Sequence, residues 1–191
     1  MEQIAAELHD LEVSPLYDFR IENDYHVVVG EGDVDADLMF IGEAPGAQEA
    51  KSGRPFVGAS GRVLNELLET IGLDRDDVYI TNVVKDRPPD NRDPHVVEIE
   101  LYTPFLMRQL EIIEPKVIAT LGRFAMEFVL EQFDVPRHGQ KISDLHGQPM
   151  GIEAPYGPVT LIPLYHPAVA LYNRSQRSTL EEDFQVLKRF L

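Results

Sequence analysis

The sequence predicts an α/β fold in which a mostly parallel sheet is covered by helices on both faces. Short apolar runs typical of buried strands alternate along the chain with segments whose apolar residues recur at helical spacing. This alternation favours parallel strands joined by crossover helices, which build a sheet that is buried on both sides. No internal repeat, low-complexity linker or shift of composition divides the 191 residues, so we expect a single domain spanning residues 1–191.

Apolar runs bounded by turn-forming or charged residues predict the strands. In chain order these strands cover residues 26–32, 36–44, 77–84, 116–122 and 159–166. The segments that lie between and after them predict helices at residues 60–73, 93–113, 123–133 and 178–191. Strand and helix therefore alternate over most of the chain.

Capping and helix-breaking residues predict where these helices begin and end. Ser60 and Ser178 are the expected N-caps of two helices, because a serine side chain accepts from the free N–H groups of a first turn. Gly72 is expected to end the helix that Ser60 begins. Asp93 is the expected cap of the longest helix, and Pro104 predicts a kink or break inside it, since proline removes a backbone hydrogen bond.

The composition excludes several kinds of protein. The chain has no cysteine, which excludes disulfides, thiolate catalysis and metal clusters bound by cysteine. The formal net charge is −16, and dispersed acidic residues with few lysines are typical of a protein that works in concentrated salt, where charge repulsion is screened. An acidic mesophilic protein is the alternative. Neither a signal peptide nor an apolar run of membrane-spanning length is present, so we expect a cytoplasmic protein with no membrane partner.

Polar side chains follow three of the predicted strands at the points where these strands end. Glu43 lies at the end of the second strand, Asn82 at the end of the third, and His166 at the end of the last. In open α/β sheets, ligands bind beyond the carboxyl ends of the strands. The sequence therefore predicts a binding site where these three ends converge.

Each candidate side chain has a chemical role open to it and a structural alternative. Glu43 suits a general base or a stabiliser of positive charge, or it caps the next helix. Phe56, between two glycines of GRPFVG, stacks on a planar ring or packs onto the core. Asn82 reads the edge of a nucleobase or bonds loop backbone. His166 donates to charge that develops on a ligand oxygen, or it is structural.

Six motifs together carry a resemblance to a known family. They read GEAPGAQE, GRPFVG, GLDRDDVYITNVVK, RPPDNRDP, PKVIATLGRFA and YHPA. From about Leu16 to its end the sequence resembles the family 4 uracil-DNA glycosylases. The resemblance implies a three-layer α/β/α fold and hydrolysis of the N-glycosidic bond of a deoxyuridine that is flipped out of DNA. Uracil-containing DNA would be the partner and free uracil the product, in base excision repair by a monomer.

The resemblance also implies roles for individual residues. Glu43 and His166 would be catalytic: Glu43 assists the water or the sugar cation, and His166 hydrogen-bonds uracil as negative charge grows on the leaving base. Phe56 would stack on the uracil ring and Asn82 would read its edge, while Glu49 would help to exclude the methyl group of thymine. The implied substrate-binding residues are Gly42, Ala44, Glu49, Phe56 and Asn82.

The sequence departs from the family at an iron–sulfur site. Family 4 enzymes typically hold such a cluster through four cysteines. The matching positions here are Leu11, Ser14, Asp86 and Tyr102. We therefore expect no cluster, no other cofactor and no metal, and we expect a hydrogen bond between Asp86 and the Tyr102 hydroxyl to fill the vacated place.

DNA binding by so acidic a chain requires local positive charge or stacking groups. The predicted DNA-contacting residues are Arg87, Arg92, Leu171, Arg174 and Arg177. Leu171 or the neighbouring Tyr172 suits a wedge that enters the base stack, whereas each arginine has salt bridging on an acidic surface as its alternative. For the whole protein, the alternative is a non-catalytic module, descended from such an enzyme, that binds uracil or another nucleobase in DNA.

Overall fold

The computed structural model describes residues 1–190, without the side chain of Arg174. A six-stranded sheet forms its centre, built from β1 (Glu31–Gly32), β2 (Leu38–Gly42), β3 (Tyr79–Asn82), β4 (Val117–Leu121), β5 (Met150–Ala154) and β6 (Gly157–Leu164). The strand order is β1-β3-β2-β4-β6-β5. The four central strands are parallel, and the edge strands β1 and β5 are each antiparallel to their neighbour.

Helices lie on both faces of this sheet. In the described part of the chain they are α1 (Glu2–His9), α2 (Tyr17–Glu22), α3 (Ala47–Ser52), α4 (Ala59–Ile71), α5 (Val96–Ile113), α6 (Arg123–Gln132), α7 (Ile142–Leu145), α8 (Val169–Tyr172) and α9 (Arg174–Leu187), with 3-10 turns at Arg75–Asp77 and Pro89–Asn91. None of these helices is both long enough and apolar enough to cross a membrane.

The sheet separates two apolar cores. In β2, Met39 and Ile41 face a core that includes residues of α1, α5 and α6, whereas Leu38 and Phe40 face a core that includes residues of α4 and α9. Successive side chains of a strand point to opposite faces, so one strand supplies both cores. The predicted α/β/α sandwich with a mostly parallel sheet is confirmed.

The parallel pairing brings the ends of distant segments together. Gly42, the last residue of β2, lies opposite Asn82, the last residue of β3. On the other side of β2, the end of β4 at Leu121 lies opposite Leu164, the last residue of β6. The chain segments that follow these strands therefore leave the sheet at one edge.

All three predicted N-caps are wrong, and two of them concern α4 and α9. The N-cap of α4 is Gly58, so Ser60 lies inside the first turn. A carboxylate from α3 accepts the N–H of Gly58 and holds this helix start. The N-cap of α9 is Asn173, whose side chain accepts from the Ser175 N–H at 2.9 Å, so Ser178 lies inside the helix. Asparagine and serine cap about equally well, and the sequence contained both.

The longest helix, α5, also differs from its prediction. Its N-cap is His95, not Asp93, and the His95 N–H donates to the Glu98 carboxylate at 2.8 Å. The helix continues through Pro104 without a break over 18 residues. Residues buried on both sides of the proline pack into the core, and this burial offsets the lost backbone hydrogen bond.

The strand predictions need two corrections. Within residues 26–32, only Glu31–Gly32 joins the sheet, as the edge strand β1. The residues before it run beside the loop after β3, where the Val28 N–H donates to the Lys85 carbonyl. The sequence analysis missed β5, whose alternating buried and exposed residues form a hairpin with β6.

Candidate active site

A cavity of about 160 Å³ opens at the carboxyl edge of the sheet. It lies where the chain leaves β2, β3 and β6, and its walls are formed by Ala44, Gly46, Glu49, Phe56, Ser60, Asn82 and His166. Pockets for drug-sized ligands occupy roughly 300–1,000 Å³. The smaller volume here suits a single small ring.

The amide of Asn82 is the most informative polar group of this cavity. Asn82 is only 2% exposed, and its Oδ1 is buried with no hydrogen-bond partner among the described residues. The hydroxyls of Thr120 and Tyr156 are the other buried side-chain atoms without a partner in residues 1–190, and neither lines the cavity. An unpaired buried polar atom costs about 1–3 kcal/mol, so Asn82 Oδ1 is poised to accept a hydrogen bond from a ligand.

Gly42 allows the cavity walls to pack closely. A Cβ at this position would lie 2.4 Å from Asn82 Oδ1 and 2.7 Å from the Phe56 ring. Any larger side chain would therefore displace both groups. Gly42 is not itself a wall residue, and it acts by leaving space for Asn82 and Phe56.

Phe56 forms an aromatic wall opposite the histidine. Its ring is buried and lies 5.6 Å from the His166 ring, with an angle of 31° between the two planes. The backbone of Phe56 is left-handed, with φ of 49°, which is rare for a bulky residue. The Phe56 backbone is therefore strained where its ring meets the cavity, and such strain is typical of functional sites.

Glu49 lines the cavity and also holds the loop beside it. One carboxylate oxygen accepts the N–H groups of Val57 and Gly58, at 3.0 and 2.8 Å. The carboxylate therefore joins α3 to the start of α4. A charged group in this wall disfavours an apolar substituent next to it, because the substituent would strip it of water.

His166 is a neutral hydrogen-bond donor in this site. Its Nδ1 accepts from the Ala168 N–H at 3.2 Å, so the ring proton resides on Nε2. Burial lowers the pKa of His166 to about 4, and the nearby Glu49 carboxylate opposes this shift only in part. At neutral pH the ring is uncharged.

Glu43 lies next to the cavity wall rather than in it. Its side chain is half-buried just after β2, beside Ala44. Burial, followed by the negative charge of Asp93, raises the pKa of Glu43 to about 7, and the positive charge of Arg123 acts in the opposite direction. Asp93 and Arg123 form an exposed ion pair with 3.0 Å between their charged atoms. A carboxyl with a pKa near 7 is well matched to general-base catalysis.

Comparisons with known proteins identify the family of this chain. Residues 29–188 match the family model for the uracil DNA glycosylase superfamily. The type-4 uracil-DNA glycosylase of Archaeoglobus fulgidus is 48% identical, over 83% of this chain and 78% of its own length. Those of Sulfurisphaera tokodaii and Saccharolobus solfataricus are 42% and 41% identical, over 98% and 100% of this chain and 83% and 86% of their own lengths. The chain belongs to the type-4 uracil-DNA glycosylase family.

This family member carries a buried polar network at three of the four positions that the sequence analysis matched to cluster cysteines, Ser14, Asp86 and Tyr102. The Tyr102 hydroxyl donates to Asp86 at 2.6 Å and lies 2.8 Å from the Ser14 hydroxyl, which confirms the predicted contact between Asp86 and Tyr102. Arg20 adds an ion pair to Asp86, with its Nη1 at 3.2 Å from Oδ1. We call Ser14, Arg20, Asp86 and Tyr102 the Asp86 network. All four are at most 5% exposed.

The Asp86 network is closed on itself and on nearby backbone. Arg20 also donates to the carbonyls of Leu8 and His9, at the end of α1. Burial raises the pKa of Asp86, and the hydrogen bond from Tyr102 and the charge of Arg20 oppose that shift. Leu11, at the remaining position that matches a cluster cysteine, packs against the apolar core that contains Tyr102. In the described chain, no group of three or more histidine, cysteine, aspartate or glutamate side chains is arranged to hold a metal ion.

Two of the predicted DNA-contacting arginines are already in ion pairs. Arg92 pairs with the buried Glu98 at 2.6 Å. Arg177 pairs with Glu66 at 2.8 Å. Salt bridging was the alternative role for each of them, and both would have to exchange a carboxylate for a phosphate in order to contact DNA.

The other predicted DNA contacts lie at exposed positions or in loops. Arg87 donates to the Tyr25 hydroxyl at 2.7 Å. Leu171 is 42% exposed and Tyr172 is 89% exposed, which leaves both side chains free to meet a partner. The side chain of Arg174 lies outside the described part of the structure.

The sequence analysis missed several residues of this site. Gly46 and Ser60 line the cavity, and the position of Ser60 just after GRPFVG was the available signal. Lys85 is fully buried behind the cavity, and its Nζ donates to the Asn82 carbonyl at 2.7 Å and to the Thr81 hydroxyl at 2.6 Å. A lysine at the end of the apolar run YITNVVK was the signal for that contact.

Proposed function

We propose that this protein releases uracil from DNA by hydrolysing the bond between N1 of uracil and C1′ of deoxyribose. Membership of the type-4 uracil-DNA glycosylase family supports this activity. The observation that carries the proposal is the unpartnered Asn82 Oδ1 in a ring-sized cavity beside Phe56. A flipped base would fill the cavity and pair this oxygen.

Recognition of uracil rests on Asn82. The pairing edge of uracil presents an N3–H donor next to the O4 acceptor. Asn82 Oδ1 accepts from N3–H, and the amide N–H of the same side chain donates to O4. Cytosine presents an acceptor at N3 and an amino group at C4, so both partners would be mismatched. A site built on hydrogen bonds rejects an analogue that lacks them by as much as about 10⁴–10⁵-fold.

Exclusion of thymine rests on Glu49. Thymine differs from uracil only by the methyl group at C5. The Glu49 carboxylate lies in the cavity wall, where its position is fixed by the N–H groups of Val57 and Gly58. A methyl group pressed against it would remove its remaining water without replacing the lost hydrogen bonds.

Departure of the base rests on His166 and Phe56. As the bond between C1′ and N1 breaks, its electron pair stays with uracil and negative charge spreads to O2 and O4. The neutral His166 donates its Nε2–H to one of these oxygens, and a fixed donor aimed at developing charge contributes about 10²–10³ in rate. The ring of Phe56 stacks on the flat base and holds it in position.

Attack by water rests on Glu43. The sugar that remains has oxocarbenium character, and the Glu43 carboxylate stabilises this positive charge. It also accepts a proton from the water molecule whose oxygen bonds to C1′. The pKa of about 7 for Glu43 means that the ionised, active form predominates above neutral pH.

We also propose that the protein works without an iron–sulfur cluster. Iron–sulfur clusters are held by cysteine thiolates, and the chain has none. The matching positions hold a phenol, a hydroxyl and a carboxylate that bond one another, so their donor atoms are engaged and do not fit the cluster. No step of the proposed reaction uses this region.

The proposal includes the form and surroundings of the enzyme. Its partner is DNA that contains uracil, and its product is free uracil. It works as a monomer in the cytoplasm. The exposed Leu171 and Tyr172 would enter the base stack as uracil leaves. The net charge of −16 supports work in concentrated salt, where phosphate contacts contribute little.

The direct test is uracil release from an oligonucleotide with one labelled uracil, at low and at molar potassium chloride. Glu43→Ala and His166→Ala should each lower the rate by about 10²–10³-fold, and His9→Ala is the matched control because its side chain is 80% exposed and does not line the cavity. Release that depends on Glu43 and His166 but not on His9 supports the enzyme. A folded protein that binds the oligonucleotide at every salt concentration without release would instead be the non-catalytic module.

A further inference from the structure

One guanidinium holds the aromatic wall of the cavity from behind. We call residues 55–58 the Phe56 loop. Arg75 donates to two successive carbonyls of this loop, from Nη2 to Pro55 at 2.7 Å and from Nη1 to Phe56 at 3.0 Å. Arg75 comes from the 3-10 turn before β3 and does not line the cavity. Arg75 therefore acts on the cavity through its hydrogen bonds to the Phe56 loop.

Arg75 is itself held in place. Its Nε donates to Glu31 at 3.2 Å and its Nη1 also donates to the Asn65 side chain at 3.2 Å. The Arg75 side chain is 15% exposed, whereas Arg54, which binds the same Glu31 carboxylate, is 60% exposed. The planar guanidinium therefore connects an edge strand, α4 and the Phe56 loop in a fixed geometry.

The Phe56 loop needs such a restraint. Phe56 has a φ of 49°, which a bulky residue keeps only where its surroundings hold it. On the far side of its carbonyl, a Cβ on Gly61 would lie 1.7 Å from the Phe56 oxygen, so the first turn of α4 presses against the loop. The guanidinium satisfies this crowded carbonyl and prevents the peptide from rotating to a relaxed conformation.

We infer that Arg75 is a positioning residue for the base: it fixes the Phe56 ring at the angle and depth at which a flat base stacks. The inference rests on the proposed function of the cavity and adds a residue that does not touch the substrate. Lysine cannot replace it, because one ammonium cannot hold two adjacent carbonyls, a carboxylate and an amide oxygen in fixed directions.

The test compares Arg75→Met with Arg54→Met. The control removes the other guanidinium from Glu31 and leaves the Phe56 loop untouched. We expect Arg75→Met to raise the inhibition constant of free uracil about ten-fold, within the range for losing one stacked base. A ring misplaced by about 1 Å should also lower kcat/KM about 10- to 100-fold. The control should change either constant less than about two-fold.

A second experiment distinguishes positioning of the Phe56 ring from a general loss of protein stability. An inhibition constant does not depend on how much of the enzyme is folded, so partial unfolding alone leaves it unchanged. In a Phe56→Ala background, Arg75→Met should have little further effect on either constant, because the ring it positions is gone. An equal effect with and without the ring, or an unchanged inhibition constant, would overturn the inference.

Two further measurements keep the inference testable whatever the first variant does. Arg75→Lys keeps the charge beside Glu31, and it should raise the inhibition constant of uracil as Arg75→Met does. Calorimetric binding of free uracil needs no turnover. If the wild-type protein binds uracil but releases none from DNA, the proposed activity fails while weaker binding by the Arg75 variants still supports the inference. Equal uracil binding by the wild-type protein and the Arg75 variants would overturn the inference alone.

Discussion

The cavity and the Asp86 network are two buried polar regions with opposite hydrogen-bond balances. In the cavity, Asn82 Oδ1 is buried and has no partner in the described chain. In the network, the Tyr102 hydroxyl, the Asp86 carboxylate and the Ser14 hydroxyl are all bonded, across up to 88 residues of sequence. Buried polar groups are normally paired. An unpaired polar atom on a residue that lines a cavity is therefore a candidate for a ligand contact, as at Asn82, whereas the groups of the Asp86 network already have partners within the protein.

The same contrast supports the proposal that the Asp86 network holds no cofactor. A metal or cluster needs donor atoms that are free to coordinate it. Asp86 accepts from Tyr102 and pairs with Arg20, and in the described chain no group of three or more histidine, cysteine, aspartate or glutamate side chains is arranged to hold a metal ion. In the cavity, by comparison, Asn82 Oδ1 has no hydrogen-bond partner among the described residues.

The largest effect, a loss of stability, is expected when the Asp86 network loses its carboxylate. Asp86→Ala leaves Arg20 as a buried charge without its carboxylate and removes the Asp86 acceptor of the Tyr102 hydroxyl, which keeps the Ser14 hydroxyl as a partner. We expect the free energy of unfolding to fall by about 3–5 kcal/mol, measured by denaturant titration. Asp37→Ala is the matched control, since its ion pair with Lys116 is exposed and should contribute at most about 1 kcal/mol. Uracil release per folded molecule should stay unchanged, and a selective loss of release would mean that the network serves the reaction.

The opposite result is expected when the unpaired group of the cavity is removed. Asn82→Ala deletes a buried amide whose oxygen has no partner, so the free energy of unfolding should fall little or even rise. The rate of uracil release should fall by about 10²–10³-fold, because the base loses its paired edge. Unfolding and release measured on one preparation decide this, and a strongly destabilised Asn82→Ala would remove the contrast between the two regions.

The pH dependence of kcat/KM tests the role of Glu43, which lies beside the cavity. The pKa of Glu43 is about 7, and the ionised carboxylate is the active form, so kcat/KM should fall about ten-fold for each pH unit below 7. Asp93→Asn removes a negative neighbour, which lowers the pKa and moves the midpoint to lower pH. Arg123→Gln removes a positive neighbour and moves it to higher pH. Midpoints that move in the same direction in both variants would contradict the assignment to Glu43.

The smallest effect is expected when the salt concentration is raised and kcat/KM is measured. Proteins that make 6–10 phosphate contacts lose about 10³–10⁵ in affinity between 50 and 200 mM salt, whereas Arg92 and Arg177 are in ion pairs with carboxylates here. We expect only a shallow dependence of kcat/KM on potassium chloride and retained activity at molar salt. Leu171→Ala should then cost more activity than Arg87→Gln. Activity that collapses above physiological salt would refute both the shallow dependence and the halophilic interpretation.

Much of the fold followed from the sequence because strands and helices have local periods. The three strands whose ends meet at the cavity were predicted at residues 36–44, 77–84 and 159–166, and the structure has a strand that overlaps each range. Predictions that rested on a single local residue were weaker. Ser60 and Ser178 were plausible caps by residue type, but tertiary contacts and a neighbouring asparagine decided where the helices begin.

Only part of the site could be read in the same way. Asn82 and His166 were predicted to converge because they stand at strand ends, and both line the cavity. Glu43, predicted by the same rule, lies beside the cavity wall, and Ala44 was implied only by the family resemblance. Arg75 follows no strand end, and its contact with the Phe56 carbonyl spans 19 residues and a whole helix. No local pattern predicts such a contact, because the distance between these groups is set by the packing of α4 against the sheet.

The sequence by itself determined the absence of thiolates, the charge of −16, the alternation of the main strands and helices, and the motifs that indicate the family. These properties depend on residue type and local spacing alone. The tertiary structure decided that Asn82 Oδ1 is left unpaired, that Arg75 holds the Phe56 loop and that Asp86 is closed between Tyr102 and Arg20. Hydrogen bonds are short and directional, so which polar groups are paired and which await a ligand depends on three-dimensional distances that no sequence separation encodes.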